Sequence, residues 1–296
     1  MNSAASIRAR LLNVSKQTGD DFQTLLNRYA IERFLYRLGV SDQSENFVLK
    51  GAMLFVAWQG NLHRPTKDLD LLGFGDSTPD AVADRIRSIA VLPADDGILF
   101  DPLSVKAEVI REDEEYEGVR VRLGASLEQA RIRLQIDIGF GDAVDSAPVR
   151  SAFPPILTQV EPATLRMYPQ ETVIAEKLQA MVVLDIRNSR MKDFYDLWYL
   201  AQTGTFDLSV LRRAVVATFE RRRTALPAGL PFSLTGEFLA DDAKNQQWRA
   251  FLTRLNLTSG IPDLPQAGKE IAEFVYPLFA SGDEDATWRK GGPWRR

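Results

Sequence analysis

The chain of 296 residues contains no cysteine and one histidine, His63. The absence of cysteine excludes disulfide bonds, thiolate metal sites and cysteine nucleophiles. A single histidine removes most zinc chemistry and most histidine-based catalysis, and we interpret His63 as a loop residue rather than a base. Acidic side chains remain as oxygen ligands, and these suit Mg²⁺ or Mn²⁺.

The sequence also lacks an apolar run long enough to span a bilayer, and its first ten residues lack the apolar segment of a signal peptide. We therefore expect a cytoplasmic protein with no membrane association. The formal net charge of -4 gives no global attraction to nucleic acid, so RNA binding would need a local basic patch. Candidates for such a patch, or for an ordinary solvated helix surface, are Arg187, Arg190, Lys192, Arg212, Arg213 and residues 221–223.

Hydrophobic periodicity predicts an α/β (α+β) protein with two domains, residues 1–160 and residues 161–296. In the first, helical and strand-like segments alternate; we expect helices at 4–39, 51–59 and 79–91, and strands at 47–49, 69–74, 105–111, 119–123 and 132–140. The proline-rich stretch 147–162 resembles a linker. The second domain is predicted to be helical, with helices at 170–185, 191–201, 209–223, 240–255 and 268–279, and a disordered segment at 281–296.

The segment from Asp68 to Leu72 reads as a strand with two carboxylates on one face. Side chains alternate along a strand, so Asp68 and Asp70 point one way while Leu69 and Leu71 point the other. Two adjacent carboxylates repel each other unless a cation or a proton neutralises them. This pattern indicates a divalent metal site.

A third carboxylate lies on a later strand. From Arg131 to Ile138 the aliphatic residues fall on one face, and Arg131, Arg133, Gln135 and Asp137 fall on the other. Strand periodicity therefore makes Asp137 a candidate third metal ligand.

Ahead of the carboxylate pair, Lys50 and Gly51 follow a short apolar strand. A glycine turn lets the backbone approach phosphate oxygens, and the N–H groups of a helix start bind anions. Lys50 is a candidate phosphate ligand or a surface lysine, and Arg64 a candidate to bind phosphate or orient a carboxylate. The order of turn, helix and carboxylate strand favours a nucleotidyltransferase site of the DNA polymerase β type, in which Mg²⁺ bridges triphosphate oxygens and activates the attacking hydroxyl.

The helical half contains a second cluster of charged residues. Asp193 and Asp196 share one face of a predicted helix, beside an apolar stripe, and Arg190 and Asp193 are spaced to pair. Lys177 lies among apolar residues of the preceding helix. Two interpretations stay open here: an ammonium that reaches a phosphate, or an ion pair that locks two helices together.

These motifs, in this order, resemble the AbiEii/AbiGii nucleotidyltransferase toxins. The segments that carry the resemblance are Leu49-Lys50-Gly51, Arg64-Pro65-Thr66-Lys67-Asp68-Leu69-Asp70-Leu71, Tyr168-Pro169 with Ala175-Glu176-Lys177-Leu178, and Arg190-Met191-Lys192-Asp193-Phe194-Tyr195-Asp196-Leu197. They span roughly residues 45 to 200. Gly51 is followed here by Ala52 and Met53, where the family usually shows a second glycine or a serine and then a small polar residue.

The resemblance implies a polymerase β-like domain with a mixed sheet, followed by a helical domain that completes the active-site cleft. It implies a type IV toxin, associated with abortive infection, that uses Mg²⁺ or Mn²⁺ and a nucleoside triphosphate and modifies the 3′ acceptor end of tRNA, which blocks translation. A cognate antitoxin is implied too, AbiEi-like and a winged-helix regulator.

Transferred by position, the resemblance implies roles for individual residues. Asp68, Asp70, Lys177 and Asp193 would be catalytic, with Asp68 and Asp70, joined by Asp137, binding metal. The remaining nucleotide-site residues would be Lys50, Gly51, Arg64, Arg190, Lys192 and Asp196, together with Lys177.

Two other functions stay open. One is a nucleotidyltransferase that modifies a small molecule such as an aminoglycoside, against which the basic residues at 212–223 argue. The other is a non-catalytic nucleotide-binding or interaction protein, which the altered glycine turn brings into consideration.

Overall fold

The computed structural model describes residues 3–60, 64–66, 68–113, 116–141, 148–257, 260–279 and 285–296. His63 and Lys67 lie outside these ranges. The chain divides into two compact units, the first within residues 1–168 and the second beginning at Pro169. In the described ranges, no helix is long and apolar enough to cross a membrane.

The first unit combines helices with a seven-stranded sheet, as the periodicity predicts. Its elements in chain order are α1 (Ala4–Thr18), α2 (Phe22–Val40), β1 (Phe47–Lys50), a 3₁₀ turn (Gly51–Met53), α3 (Leu54–Gln59), β2 (Asp68–Gly73), α4 (Pro79–Ala90), β3 (Ile98–Asp113), β4 (Tyr116–Leu127), β5 (Ala130–Phe140), β6 (Val149–Phe153) and β7 (Ala163–Met167). The helices and strands expected before residue 141 are therefore confirmed, with most ends shifted by up to four residues and the start of β3 seven residues earlier than expected.

Strand β2 lies in the middle of this sheet, whose strand order is β3-β4-β5-β2-β1-β7-β6. It runs parallel to β5 on one side and antiparallel to β1 on the other, so the sheet is mixed. Both long hairpin strands β3 and β4 extend the sheet beyond β5. The central position buries the apolar face of β2, on which Leu69 and Leu71 are fully buried.

The proline-rich stretch expected to be a linker contributes to the sheet instead. Strand β6 pairs antiparallel with β7, which in turn pairs with β1 through Leu49 and Met167. Strand β7 also contradicts the expectation of a purely helical pattern after this stretch. Of the five residues of β6, only Phe153 is buried, as expected for an edge strand.

Helix α2 is held in the unit by buried ion pairs. Asp21 caps its N-terminus by accepting a hydrogen bond from the Thr24 amide at 2.8 Å. Further along, Asp96 accepts hydrogen bonds from Arg33 Nε at 3.1 Å and from Arg37 Nη1 at 2.6 Å. All three charged side chains are almost fully buried, which makes Asp96 a fixed anchor between α2 and the start of β3.

The second unit is mainly helical. Its elements are α5 (Gln170–Leu184), α6 (Met191–Thr203), β8 (Phe206–Asp207), α7 (Leu208–Arg221), α8 (Gly236–Leu239), α9 (Asp242–Arg254), α10 (Leu264–Phe279), β9 (Thr287–Trp288) and β10 (Trp294–Arg295), with 3₁₀ turns at Asp185–Arg187 and Phe232–Leu234. Each of the five helices predicted for this half is confirmed.

The disorder expected for residues 281–296 is wrong for the part that the structure describes, residues 285–296. Strands β8, β9 and β10 form a small antiparallel sheet. Trp288 is buried and its indole N–H donates to the Ala201 carbonyl at 2.7 Å, while its ring lies 4.9 Å from that of Phe274. Trp288 and Trp294, whose segment shows neither helical nor strand periodicity, thus complete an aromatic core around Phe274.

Candidate active site

The carboxylate pair lies on the polar face of the central strand β2. Asp68 and Asp70 are half-buried, whereas Leu69, between them, is fully buried on the opposite face. This alternation is the one that the sequence predicts. Because β2 has a hydrogen-bonded neighbour on each side, the sheet backbone itself fixes the position of both aspartates.

The glycine turn directly contacts Asp70. Gly51 has a φ of +74°, a conformation that residues with a side chain rarely adopt. A Cβ placed on residue 51 would lie 2.6 Å from Cγ of Asp70, so the Asp70 carboxyl group rests against the backbone of the turn. Lys50, which precedes the turn and is largely buried, is the register partner of Asp70. Glycine is therefore required here both for its φ and for its lack of a side chain.

Asp137 lies next to Asp70, because the parallel pairing of β2 with β5 makes these two residues register partners. Neighbouring strands are about 4.8 Å apart, so the two aspartates form a close pair across the sheet. Arg120 on β4 binds Asp137 with two hydrogen bonds of 2.8 Å, from Nε and from Nη2. This interaction, together with the nearby charge of Asp68, raises the pKa of the Arg120 guanidinium above its ordinary value.

The register places five charged residues in one row across the sheet. Following the strands from β3 to β1, the row consists of Glu108, Arg120, Asp137, Asp70 and Lys50. Each cation lies next to a carboxylate, and the only adjacent like charges are Asp137 and Asp70. The row therefore concentrates negative charge at the centre of the sheet.

The carboxylates on the polar face of β2 fit a hard divalent cation. Mg²⁺ is usually bound through one or two carboxylates together with substrate phosphates, and Asp68 and Asp70 supply such a set. In the described ranges, no group of three or more acidic or histidine side chains is arranged to hold a metal alone. Asp137 already binds Arg120, so a cation that contacted Asp137 would have to compete with the guanidinium group.

A cleft of about 860 Å³ opens beside Asp68. Its walls are the N-terminal turn of α2, the segment before β2, and strands β3 to β5. Three arginines line it, Arg122, Arg131 and Arg133, and of these Arg122 pairs with Glu108 at 2.8 Å. Arg64 lies in the short segment that precedes β2 and is half-buried.

In the second unit, the two helical motifs meet. Lys177 on α5 places its ammonium 2.6 Å from Asp193 Oδ1 and 2.8 Å from Asp196 Oδ2, both on α6. The two carboxylates are nearly buried, and the cluster carries a net charge of -1. Asp193 lies in the first turn of α6, where the helix dipole favours a carboxylate. This geometry joins α5 to α6, as the ion-pair interpretation expects.

The remaining basic residues of this unit have varied surroundings. Arg222 pairs with Glu176 at 3.2 Å, and Arg212 donates to the Pro277 carbonyl at 2.7 Å, so both contribute to packing within the unit. Arg190 immediately precedes α6 and is half-buried, whereas Lys192, in the first turn, is exposed.

The sequence reasoning missed Arg120, Arg122 and the cleft beside them. The signal was available in the segment from Val119 to Leu123, where arginine alternates with apolar residues. That period of two places both arginines on the same face of β4. Only the register with β5 shows that this face carries Asp137.

A mixed sheet with paired carboxylates on its central strand and a glycine turn beside them is the arrangement that the sequence motifs predict for a nucleotidyltransferase. A Helicobacter pylori protein provisionally described as a nucleotidyltransferase has this fold, with a TM-score of 0.50 and 16% identity over 88% of this chain and 96% of that chain. The H. pylori protein JHP933 aligns with a TM-score of 0.49 and 16% identity, over 87% and 92% of the respective chains. No curated protein matches the chain.

The chain belongs to the AbiEii family, described as nucleotidyl transferase AbiEii toxins of type IV toxin–antitoxin systems, whose family model matches residues 33–269. The resemblance seen in the motifs is thereby confirmed. Membership supports a toxin of the nucleotidyltransferase class and implies a cognate antitoxin as partner.

Proposed function

We propose that this protein transfers a nucleoside monophosphate from a nucleoside triphosphate to RNA, at the 3′ acceptor end of tRNA, and so blocks translation in the cytoplasm. The observation that carries the proposal is the position of Asp70, which lies against the Gly51 backbone and beside Asp68 on one strand face. This arrangement puts two carboxylates next to a glycine turn, where the absence of a side chain at residue 51 would let phosphate oxygens approach the backbone.

The chemistry follows from these positions. Asp68 and Asp70 would hold Mg²⁺ or Mn²⁺, with Asp137 as a further ligand when Arg120 releases it. When bound, the metal neutralises charge on the triphosphate and lowers the pKa of the attacking hydroxyl. The 3′ hydroxyl oxygen of the RNA forms a bond to the α-phosphorus, the bond from that phosphorus to the β-phosphate oxygen breaks, pyrophosphate leaves, and the hydroxyl proton passes to solvent.

The other nucleotide-site residues have supporting roles in this proposal. Lys50, Arg64, Arg190 and Lys192 would contribute positive charge toward phosphates. Lys177 and Asp193, with Asp196, would be required for activity as a unit, because removal of one member leaves buried charge uncompensated. The antitoxin is proposed to be an AbiEi-like winged-helix regulator.

The test is transfer of label from each of the four α-³²P-labelled ribonucleoside triphosphates to total tRNA in the presence of Mg²⁺. The wild-type protein should label RNA and Asp70→Asn should not, because loss of the carboxylate charge weakens metal binding. Asp84→Asn is the matched control, since Asp84 is exposed on the surface of α4, where it pairs with Arg87. Absence of labelling with every triphosphate, or equal labelling by Asp70→Asn, would contradict the proposal.

The two alternative functions predict different results. A small-molecule enzyme would label an aminoglycoside and leave RNA unlabelled. A non-catalytic interaction protein would arrest growth on expression even as the Asp68→Asn and Asp70→Asn variants.

A further inference from the structure

Two arginines of strand β5, Arg131 and Arg133, line the cleft beside Asp68. Both side chains are exposed, and within the described ranges neither forms an ion pair or a side-chain hydrogen bond. We infer that Arg131 and Arg133 bind consecutive backbone phosphates of a single-stranded RNA acceptor and direct its 3′ end toward the carboxylate pair. This inference rests on the proposed function and assigns its acceptor site.

The register of β2 with β5 positions these arginines relative to the carboxylates. Asp68 is the Cα partner of Gln135, and Arg133 and Arg131 precede Gln135 by two and four residues on the same strand face. At about 3.4 Å per residue, they lie about 7 Å and about 14 Å along the strand from the level of Asp68. Two guanidinium groups therefore form a line that leads to the proposed metal site.

This line lies on the side of β2 opposite to the glycine turn. In the sheet, β5 borders β2 on one side, and β1, which ends at the Gly51 turn, borders it on the other. The triphosphate is assigned to the Gly51 side, because the turn there carries no side chain at residue 51 and lies directly beside Asp70. An anion bound by Arg131 and Arg133 would then be a second, separate one, as a transfer reaction between two phosphate-containing substrates requires.

The residue type also favours a polynucleotide over a small cationic acceptor. A guanidinium group binds phosphate with two parallel hydrogen bonds, so each arginine matches one phosphodiester. An aminoglycoside carries several positive charges and would be repelled by the same pair. Arg131 and Arg133 therefore select a negatively charged acceptor and also position it.

The experiment compares the wild-type protein with Arg131→Gln/Arg133→Gln and with a matched control, Arg249→Gln/Arg254→Gln, in which two exposed arginines of α9 are changed. Binding of a 5′-fluorescein-labelled single-stranded RNA that ends in CCA is followed by fluorescence anisotropy at several salt concentrations. Binding of each ribonucleoside triphosphate with Mg²⁺ is measured by isothermal titration calorimetry.

We expect the β5 variant to bind the RNA about tenfold more weakly at moderate salt. The slope of log K against log salt should fall in magnitude by about 1.4, since each phosphate contact to a single strand contributes about 0.7. Triphosphate affinity should be unchanged, and the control should match the wild-type protein in both assays.

Three results would overturn the inference. Unchanged RNA binding by the β5 variant would do so while leaving the proposed function intact, provided that RNA labelling persists. Weaker triphosphate binding with unchanged RNA binding would assign the arginines to the nucleotide instead. Failure of the wild-type protein to bind or label any RNA would refute the proposed function as well.

Discussion

Substitution of Gly51 by alanine tests the contact between the glycine turn and Asp70. The variant suffers two penalties: the left-handed backbone at φ +74° costs about 1–2 kcal/mol once a Cβ is present, and the overlap of that Cβ with Asp70 adds about 1–3 kcal/mol. Gly19→Ala is the matched control, because Gly19 has a φ of +78° and nothing within 4 Å of its Cβ position. The difference between the two variants isolates the contact with Asp70.

Hydrogen–deuterium exchange provides the assay, since the slowest amides of β1 and β2 report the free energy of opening of the first unit. Both glycines belong to that unit, so the same amides serve for both variants. We expect Gly51→Ala to lower the opening free energy by about 1–3 kcal/mol more than Gly19→Ala does. Equal losses would refute the claim that the Asp70 carboxyl group rests against the turn.

The remaining predictions concern buried charges. Asp96→Ala should destabilise the first unit by about 3–5 kcal/mol, because two buried arginines lose their partner, whereas the surface control Asp84→Ala should cost at most about 1 kcal/mol in the same exchange assay. Burial raises the pKa of Glu32 to about 7, so the folded state retains a proton that the unfolded chain releases. The free energy of unfolding should therefore fall as the pH rises from about 4.5 to about 7. In urea titrations, Glu32→Gln should remove this part of the pH dependence. Lys177→Met should destabilise the second unit by about 3–5 kcal/mol, against almost no change for exposed Lys192→Met, and equal exchange rates in the two variants would contradict the buried cluster.

The helices and most strands could be predicted because each buries one face over several turns or residues. Helix α10, for example, places Ile271, Phe274, Val275 and Leu278 on one side, a spacing that only a helix brings together. The alternation around Asp68 is equally local. Such features depend on neighbours in sequence, so the sequence alone reveals them.

Strand β7 alternates buried and more exposed residues, but over only five positions. Strand β6 was harder still to predict, because it lies at the sheet edge and buries only one residue. Strand β6 is held by its backbone pairing with β7, so its own sequence shows no hydrophobic alternation. Flanking prolines, which are compatible with edge strands, then resemble a linker.

Features that depend on distant pairing could not be predicted. Arg33 and Arg37 resemble surface residues of a helix, and their burial requires Asp96, which is about sixty positions further along the chain. Likewise, Asp137 could be placed on a polar face, but its two hydrogen bonds with Arg120 depend on which strand borders β5. Which strands lie next to each other in a sheet depends on the topology of the fold and not on the local sequence pattern.

Strands β9 and β10 bring Trp288 and Trp294 to the aromatic core of the second unit, and this affects the order in which the two units fold during synthesis. All seven strands of the large sheet have been made once the ribosome passes Met167, so the carboxylate face can assemble early. Phe274, by contrast, packs on Phe206 but lacks its contacts with the rings of Trp288 and Trp294 until those two residues have been translated. A nascent chain would thus hold a complete carboxylate sheet while the aromatic cluster of its second unit still lacked two of its rings.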